Sequence, residues 1–310
     1  MSQVESLANR NQFWHRYNIR LMLFRRNAVD FGSRLVRHPT ALLGAITILV
    51  WLCIGIFAPW IAPHNPTQGN YQLRLIPPVW ESGGNPQYLL GTDLVGRDIL
   101  SRIIFGARVA FQIGGITVSI SVVLGVLLGC LAGYYRGRVD QLLSRFVELE
   151  QAFPLLLLAI TIIAVTGAGF VNLIFALTVK SWVPYFRVTR GEVMAEAQKE
   201  YVMAAKVLGR SRIRILLSEI LPNILHSLLV LATLQTGTVI LSEASLSFLG
   251  LGVQPPTPAW GYMVADGRDY VTSAWWVSTL PGVAIMILVL SLNLFGEGIR
   301  DLLDPRLRIE

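Results

Sequence analysis

Residues 200–222 read EYVMAAKVLGRSRIRILLSEILP and form the longest polar interruption in the second half of an otherwise apolar chain. The first half of this stretch has small and apolar residues at i, i+3, i+4 and i+7, which predicts one face of a short helix: Tyr201, Ala204, Ala205 and Leu208. Gly209 then stands where a helix C-terminus favours a residue that tolerates positive φ. A second apolar face follows and ends at Pro222. Periodicity alone favours an amphipathic loop helix that lies on a bilayer surface.

The composition of the whole chain is that of an integral membrane protein. Of its 310 residues, 53% are hydrophobic and 15% are charged, and the mean hydropathy is +0.55, whereas soluble domains carry about 25% charged residues. The net charge of +7 is not accompanied by an aromatic and basic surface, so no nucleic-acid partner is expected. Cys53 and Cys130 both fall in apolar stretches and predict no disulfide framework.

The hydropathy pattern predicts an all-α protein with six transmembrane helices. The predicted spans are residues 41–62, 109–134, 147–165, 170–188, 223–241 and 277–295. The organisation predicted around them is a basic N-terminal segment (1–40), the first span, an outward segment (63–108), a core of five spans (109–299) that contains the loop 189–222, and a tail (300–310). The N-terminal segment is either an amphipathic helix on an anionic membrane face or a solvated tail.

The distribution of Lys and Arg predicts which side of the membrane each loop faces. Most of these residues lie in the N-terminal segment, the 135–146 turn, the 187–222 loop and the C-terminal tail. Because positive charge concentrates on the cytoplasmic side, both termini and residues 200–222 are expected to be cytoplasmic.

Three acidic or basic residues lie inside or beside the predicted spans. Lys180 falls near the middle of the fourth span, where a charge faces a cavity or snorkels to the interface, and the sequence leaves both readings open. Glu148 and Glu150 fall at the basic-loop end of the third span, in the headgroup region.

The second predicted span carries a small residue at every fourth position, which we call the glycine stripe. Small residues at this spacing allow a neighbouring backbone to approach closely, and flexibility is the alternative. The stripe consists of Thr117, Ser121, Gly125, Gly129 and Gly133.

Motifs of catalysis are missing from the sequence. It contains no Gly-x-x-x-x-Gly-Lys-Ser/Thr phosphate loop, no His-Glu-x-x-His, no paired cysteines for zinc and no Gly-x-Ser-x-Gly elbow. The chain is therefore predicted to be a conduit that another protein drives, with no metal site, no cofactor of its own and no enzymatic activity.

Several stretches resemble one family of transport proteins. Ala204, Ala205, Gly209, Ile220 and Pro222 occupy the positions of the EAA loop of binding-protein-dependent ABC importer permeases, and Met203 stands where that family has Glu. The preceding Glu200-Tyr201-Val202 is similar to the variant in dipeptide and oligopeptide permeases of the C type. Four further stretches resemble the same subfamily: residues 91–108, 152–160, 243–261 and 293–308.

The resemblance implies a type I ABC importer permease fold with a cytoplasmic coupling helix. It implies that this helix contacts a separate ATPase through Glu200, Tyr201, Ala204, Ala205, Leu208 and Gly209. The implied partners are a homologous second permease subunit, two cytoplasmic ABC ATPases that bind ATP and Mg²⁺, an extracytoplasmic binding protein and the lipid of a bacterial inner membrane.

The resemblance also implies a substrate class, namely di- and oligopeptides. A non-peptide substrate such as glutathione or a nickel complex is an alternative within the same family. An ion-coupled secondary carrier and an anchoring protein are alternatives from other classes; intramembrane acids at mid-depth would favour the carrier, and the sequence places its acids at span ends.

Overall fold

The computed structural model describes residues 35, 36 and 38–303. The expected N-terminal amphipathic segment and most of the C-terminal tail lie outside the described residues. Among these residues the regular structure is helical, and the only β-type pairing is an isolated bridge between Thr92 and Asp98. The helices are α1 (Pro39–Ile56), α2 (Ala58–Ile61), α3 (Ile99–Tyr135), α4 (Gly137–Gln151), α5 (Leu155–Thr166), α6 (Phe170–Ser181), α7 (Val183–Glu196), α8 (Glu200–Val207), α9 (Arg212–Ile215), α10 (Leu221–Phe248), α11 (Trp260–Gly267) and α12 (Trp276–Leu303).

Fewer helices are long and apolar enough to cross a membrane than the six spans predicted. The described residues contain four such helices, or five if the bent pair α4–α5 is one span. The predicted fourth span, 170–188, falls on α6 and α7, which are interrupted at Trp182 and are each shorter than 18 residues. The expectation of an all-α membrane protein is confirmed.

Several predicted boundaries move because of local chemistry. The first span breaks at Phe57, just ahead of Pro59, and continues only as the short α2. The helix of the second predicted span, α3, begins well before residue 109, because Asp98 caps it by accepting a hydrogen bond from the Ser101 amide at 2.9 Å. The outward segment is consequently shorter than predicted.

The third predicted span is a broken helix. α4 and α5 meet at an angle of 86° across residues 152–154. Pro154 is the N-cap of α5 and has extended dihedrals, φ −60° and ψ 139°. A proline lacks the amide hydrogen that would continue α4, and the residue before it resists helical geometry, so the break follows from the sequence at this point.

The first helix packs against the last. A Cβ atom on Gly44 of α1 would lie 2.7 Å from the Ser291 carbonyl oxygen and 2.8 Å from the Phe295 amide nitrogen of α12. One turn further along α12, a Cβ atom on Gly298 would overlap the side chain of Ala41. The two backbones therefore touch, and only glycine permits this distance.

The outward segment is held on the ends of α3 and α12 by buried polar contacts. The indole of Trp275 donates to the Glu81 carboxylate at 2.7 Å, and that of Trp276 donates to the Thr92 carbonyl at 3.1 Å. Asp93 pairs with Arg97 at 2.6 Å and lies 3.6 Å from the fully buried Arg102. These contacts fix a segment that has little regular structure of its own.

Candidate functional site

The polar stretch 200–222 contains helix α8, which ends in a Schellman motif. The amide of Arg210 donates to the Ala205 carbonyl at 3.1 Å, and that of Gly209 donates to the Lys206 carbonyl at 3.0 Å. Gly209 itself has φ +73°. This pair of hydrogen bonds requires a left-handed residue after the helix, which is why glycine stands there.

One side of α8 is buried in the body of the protein. Val202 and Ala205, one turn apart, belong to the same buried hydrophobic cluster as Val193 of α7, Ile215 of α9 and Ile224 of α10. Ala205 is only 7% exposed. The sequence placed it on a docking face together with Tyr201, Ala204 and Leu208. In the structure Ala205 is buried together with Val202, whereas Tyr201, Ala204 and Leu208 are exposed.

The opposite side of α8 forms an exposed patch that we call the apolar tip. The patch consists of Met203, Ala204, Val207 and Leu208. Val207 and Leu208 are 88% and 80% exposed, respectively. Sequence reasoning missed Met203 and Val207; their i, i+4 spacing, matched by Ala204 and Leu208, was the available signal. Glu200 is also exposed, in the first turn of the helix.

Tyr201 ties α8 to the elements before and after it. Its hydroxyl donates to the Glu196 carboxylate at the end of α7, at 2.5 Å, and accepts from the Asn223 amide at the start of α10, at 3.1 Å. Burial and the hydrogen bond to Glu196 raise the pKa of Tyr201 to about 12. The phenol thus stays protonated and keeps donating. Arg210 pairs with Glu219 across the same turn.

The glycine stripe of α3 lies against α7. A Cβ atom on Gly125 would lie 2.5 Å from Tyr185 Cβ, and one on Gly129 would lie 2.7 Å from Thr189 Cβ. A Cβ atom on Gly133 would lie 2.7 Å from the carbonyl oxygen of Arg190. Thr117 and Ser121 continue the stripe and are fully buried. Since α7 leads to α8 through only three residues, this contact holds the element that carries the apolar tip.

Lys180 contacts the backbone at the break between α4 and α5, and its facing a cavity or snorkelling to the interface stays a prediction. Its ammonium donates to the backbone carbonyls of Glu150, at 3.3 Å, and Phe153, at the break between α4 and α5. Glu150 is buried beside this break, whereas Glu148 is exposed and pairs with Arg145 at 3.0 Å. The two glutamates, which the sequence could not tell apart, thus have different surroundings.

Metal binding finds no support in the part of the chain that the structure describes. No three His, Cys, Asp or Glu side chains of residues 38–303 are placed so that they could hold an ion.

The fold is that of a polytopic α-helical membrane protein. The chain belongs to the family described as binding-protein-dependent transport system inner membrane component, whose model matches residues 125–309. A second model, the N-terminal TM domain of oligopeptide transport permease C, matches residues 28–78. The resemblance recognised from the motifs is thereby confirmed, and the chain is a transport component and not an enzyme.

Curated relatives agree with the family models along most of the chain. The di/tripeptide transport system permease protein DppC of Pseudomonas aeruginosa is 44% identical over 279 residues, which cover 90% of this chain and 92% of the relative. The dipeptide transport system permease protein DppC of Escherichia coli K12 is 44% identical over 279 residues and is covered to 93%.

A solved structure supports the fold independently. The MetNI methionine ABC transporter in an inward-facing conformation contains a chain that matches with a TM-score of 0.55 at 18% identity. The match covers 66% of this chain and 98% of the other. At this identity the similarity concerns the fold alone, which is that of a type I importer permease. Nothing in these comparisons favours an ion-coupled carrier.

Proposed function

We propose that this chain forms half of the translocation pathway of an ATP-driven importer of di- and oligopeptides. The names of its relatives support the peptide substrate. The proposed partners are a homologous second permease subunit, two ATPases that bind ATP and Mg²⁺, and an extracytoplasmic binding protein. The proposed location is a bacterial inner membrane with both termini, and the apolar tip, on the cytoplasmic side.

The observation that carries the coupling role is the exposure of the apolar tip. Val207 and Leu208 are among the most exposed large apolar side chains of the described residues. They nevertheless stand at the end of α8, a helix whose C-terminus is capped and which Tyr201 joins to its neighbours. A rigidly held apolar surface of this kind is typical of a docking site. The groove of an ATPase is the partner that fits the proposed function.

The mechanism follows from the connections of α8. A movement of the docked helix is passed to α7, because the Tyr201–Glu196 hydrogen bond and the buried Val202 join the two. α7 is in turn packed along α3 by the glycine stripe. Binding and release of ATP by the partner would favour two different positions of this unit, and the pathway would alternate between inward-open and outward-open states.

The coupling role is tested by placing a charge on the tip. Leu208→Asp should abolish co-purification of the ATPase and reduce dipeptide uptake to background, because the carboxylate must be desolvated in the docked state. The matched control is Tyr71→Asp in the outward segment, a position that is 73% exposed. Tyr71→Asp should leave ATPase binding unchanged. Normal ATPase binding and uptake by Leu208→Asp would contradict the proposal.

The substrate class is tested separately. The assembled importer with its co-purified binding protein should take up radiolabelled dipeptides, and an excess of unlabelled dipeptide should compete. Uptake of glutathione or a nickel complex that dipeptides do not inhibit would assign the permease to one of those substrates.

A further inference from the structure

The break between α4 and α5 is held by a side chain from a third helix. Lys180, in the last turn of α6, donates to the carbonyl oxygens of Glu150 and Phe153, on either side of the point where the helical hydrogen-bond pattern of α4 ends. Carbonyl groups at the end of a helix have no intrahelical partner. At the 86° bend the Glu150 carbonyl accepts from the Phe153 amide at 3.3 Å, and the Lys180 ammonium adds a charged donor to it and to the Phe153 carbonyl. Hydrogen bonds to charged groups are the stronger kind.

A buried acid accompanies this contact. Glu150 is only 8% exposed, and neither of its carboxylate oxygens accepts a hydrogen bond. A buried carboxylate without a hydrogen-bond donor is costly, and the Lys180 ammonium, which donates to the backbone carbonyl of the same residue, places a positive charge at this point of the chain. The break therefore has a local interaction on which its geometry depends.

The same lysine lies on the chain that leads to the apolar tip. Two residues after Lys180 the helix is interrupted at Trp182, and α7 begins. α7 packs along the glycine stripe and ends at Glu196, which binds Tyr201 of α8. A displacement of α8 that shifts α7 consequently acts on the position of Lys180 relative to the break.

We propose that Lys180 is a positioning residue that couples the apolar tip to the α4–α5 break. In the state described, the ammonium holds the break bent through the carbonyls of Glu150 and Phe153. Movement of α7 withdraws the ammonium, and α4 and α5 then change their relative angle. This inference rests on the proposed function and adds to it the element of the membrane region that responds to the ATPase.

The test uses the complete importer, with both permeases, both ATPases and the binding protein, in liposomes. Lys180→Met keeps the length of the side chain and removes its charge and donors. We expect the complex to assemble and to hydrolyse ATP, while dipeptide uptake per ATP hydrolysed falls at least about tenfold, the equivalent of one lost charged hydrogen bond. Lys180→Arg keeps the charge and the donors and should restore most of this ratio.

The ratio of uptake to hydrolysis separates coupling from stability. A residue that only stabilises the fold would lower uptake and hydrolysis together and leave their ratio unchanged, and that result would overturn the inference. A wild-type ratio in Lys180→Met would overturn it too. Neither result bears on the tip; loss of the proposed function itself would appear as failure of the unsubstituted chain to bind an ATPase.

A second measurement keeps the test decisive if Lys180→Met does not assemble. Phe153→Cys, with Cys53→Ser and Cys130→Ser, places a single thiol at the break while Lys180 remains intact. Its rate of modification by a water-soluble maleimide should differ several-fold between the nucleotide-free importer and the importer trapped with ATP and vanadate. Equal rates in the two states would refute a movement of the break.

Discussion

Adding one methyl group at Gly125 tests whether α3 and α7 move as a unit. The new Cβ would lie 2.5 Å from Tyr185 Cβ, 2.6 Å from the Trp182 carbonyl oxygen and 2.9 Å from the Phe186 amide nitrogen. All three neighbours are backbone or Cβ atoms, which cannot move without moving α7 itself. Gly125→Ala therefore has to push the two helices apart.

The expected size of this effect follows from two opposing contributions. Overpacking costs about 1–3 kcal/mol, and rigid neighbours put this site at the upper end. Alanine recovers up to about 1 kcal/mol through its helix propensity. The net loss is about 2 kcal/mol, which lowers Tm by about 3 °C for a chain of 310 residues.

The control is Gly115→Ala in the same helix. A Cβ atom there has no neighbour within 4 Å, so only the favourable propensity acts and Tm should stay equal or rise by about 1–2 °C. Both variants can be compared by thermal unfolding of the detergent-solubilised chain at one heating rate. Equal Tm values for the two variants would show that the contact between α3 and α7 is not close-packed.

Four further substitutions test individual contacts. Asp93→Ala removes one partner of a buried ion pair and should destabilise the chain by about 3–5 kcal/mol, whereas Arg268→Ala breaks only an exposed pair and should cost at most about 1 kcal/mol; thermal unfolding that ranks them in reverse contradicts this. Trp260→Phe leaves the Ile103 carbonyl without its 3.0 Å donor and should cost about 1–3 kcal/mol in the same assay. Tyr201→Phe removes the hydroxyl that joins α8 to its neighbours, so a pull-down should recover less ATPase at equal expression; full recovery would assign the anchoring to Val202 alone.

The end of α8 could be predicted from the sequence, whereas the direction of its faces could not. Gly209 follows a run with helical spacing, and its positive φ is a local property of the backbone. Which side of this eight-residue helix is buried depends on how α8 packs against α7 and α10. The spacing of residues within α8 carries no information about that packing. Ala205 is buried by that packing, although its spacing puts it on one face with Ala204 and Leu208, which are exposed.

The interruptions of the membrane region were the hardest features to predict. A hydropathy pattern averages over many residues, so the apolar stretch around Pro154 reads as one span although the chain turns by 86° there. The interruption at Trp182 has no glycine as a signal and a proline only after it, at Pro184. Lys180 contacts two carbonyls at the break between α4 and α5. Because the sequence did not predict that break, it did not predict this contact either.

The contact between α1 and α12 has a consequence for how the protein is made. Gly44 is synthesised about 250 residues before Ser291, which it touches. At translation rates of about 5–20 residues per second, the first helix waits roughly 10–50 s in the bilayer before its partner exists. A helix satisfies its own backbone hydrogen bonds in lipid, so it can wait there. The contact between α1 and α12 therefore forms only when α12 arrives at a helix that is already in the membrane.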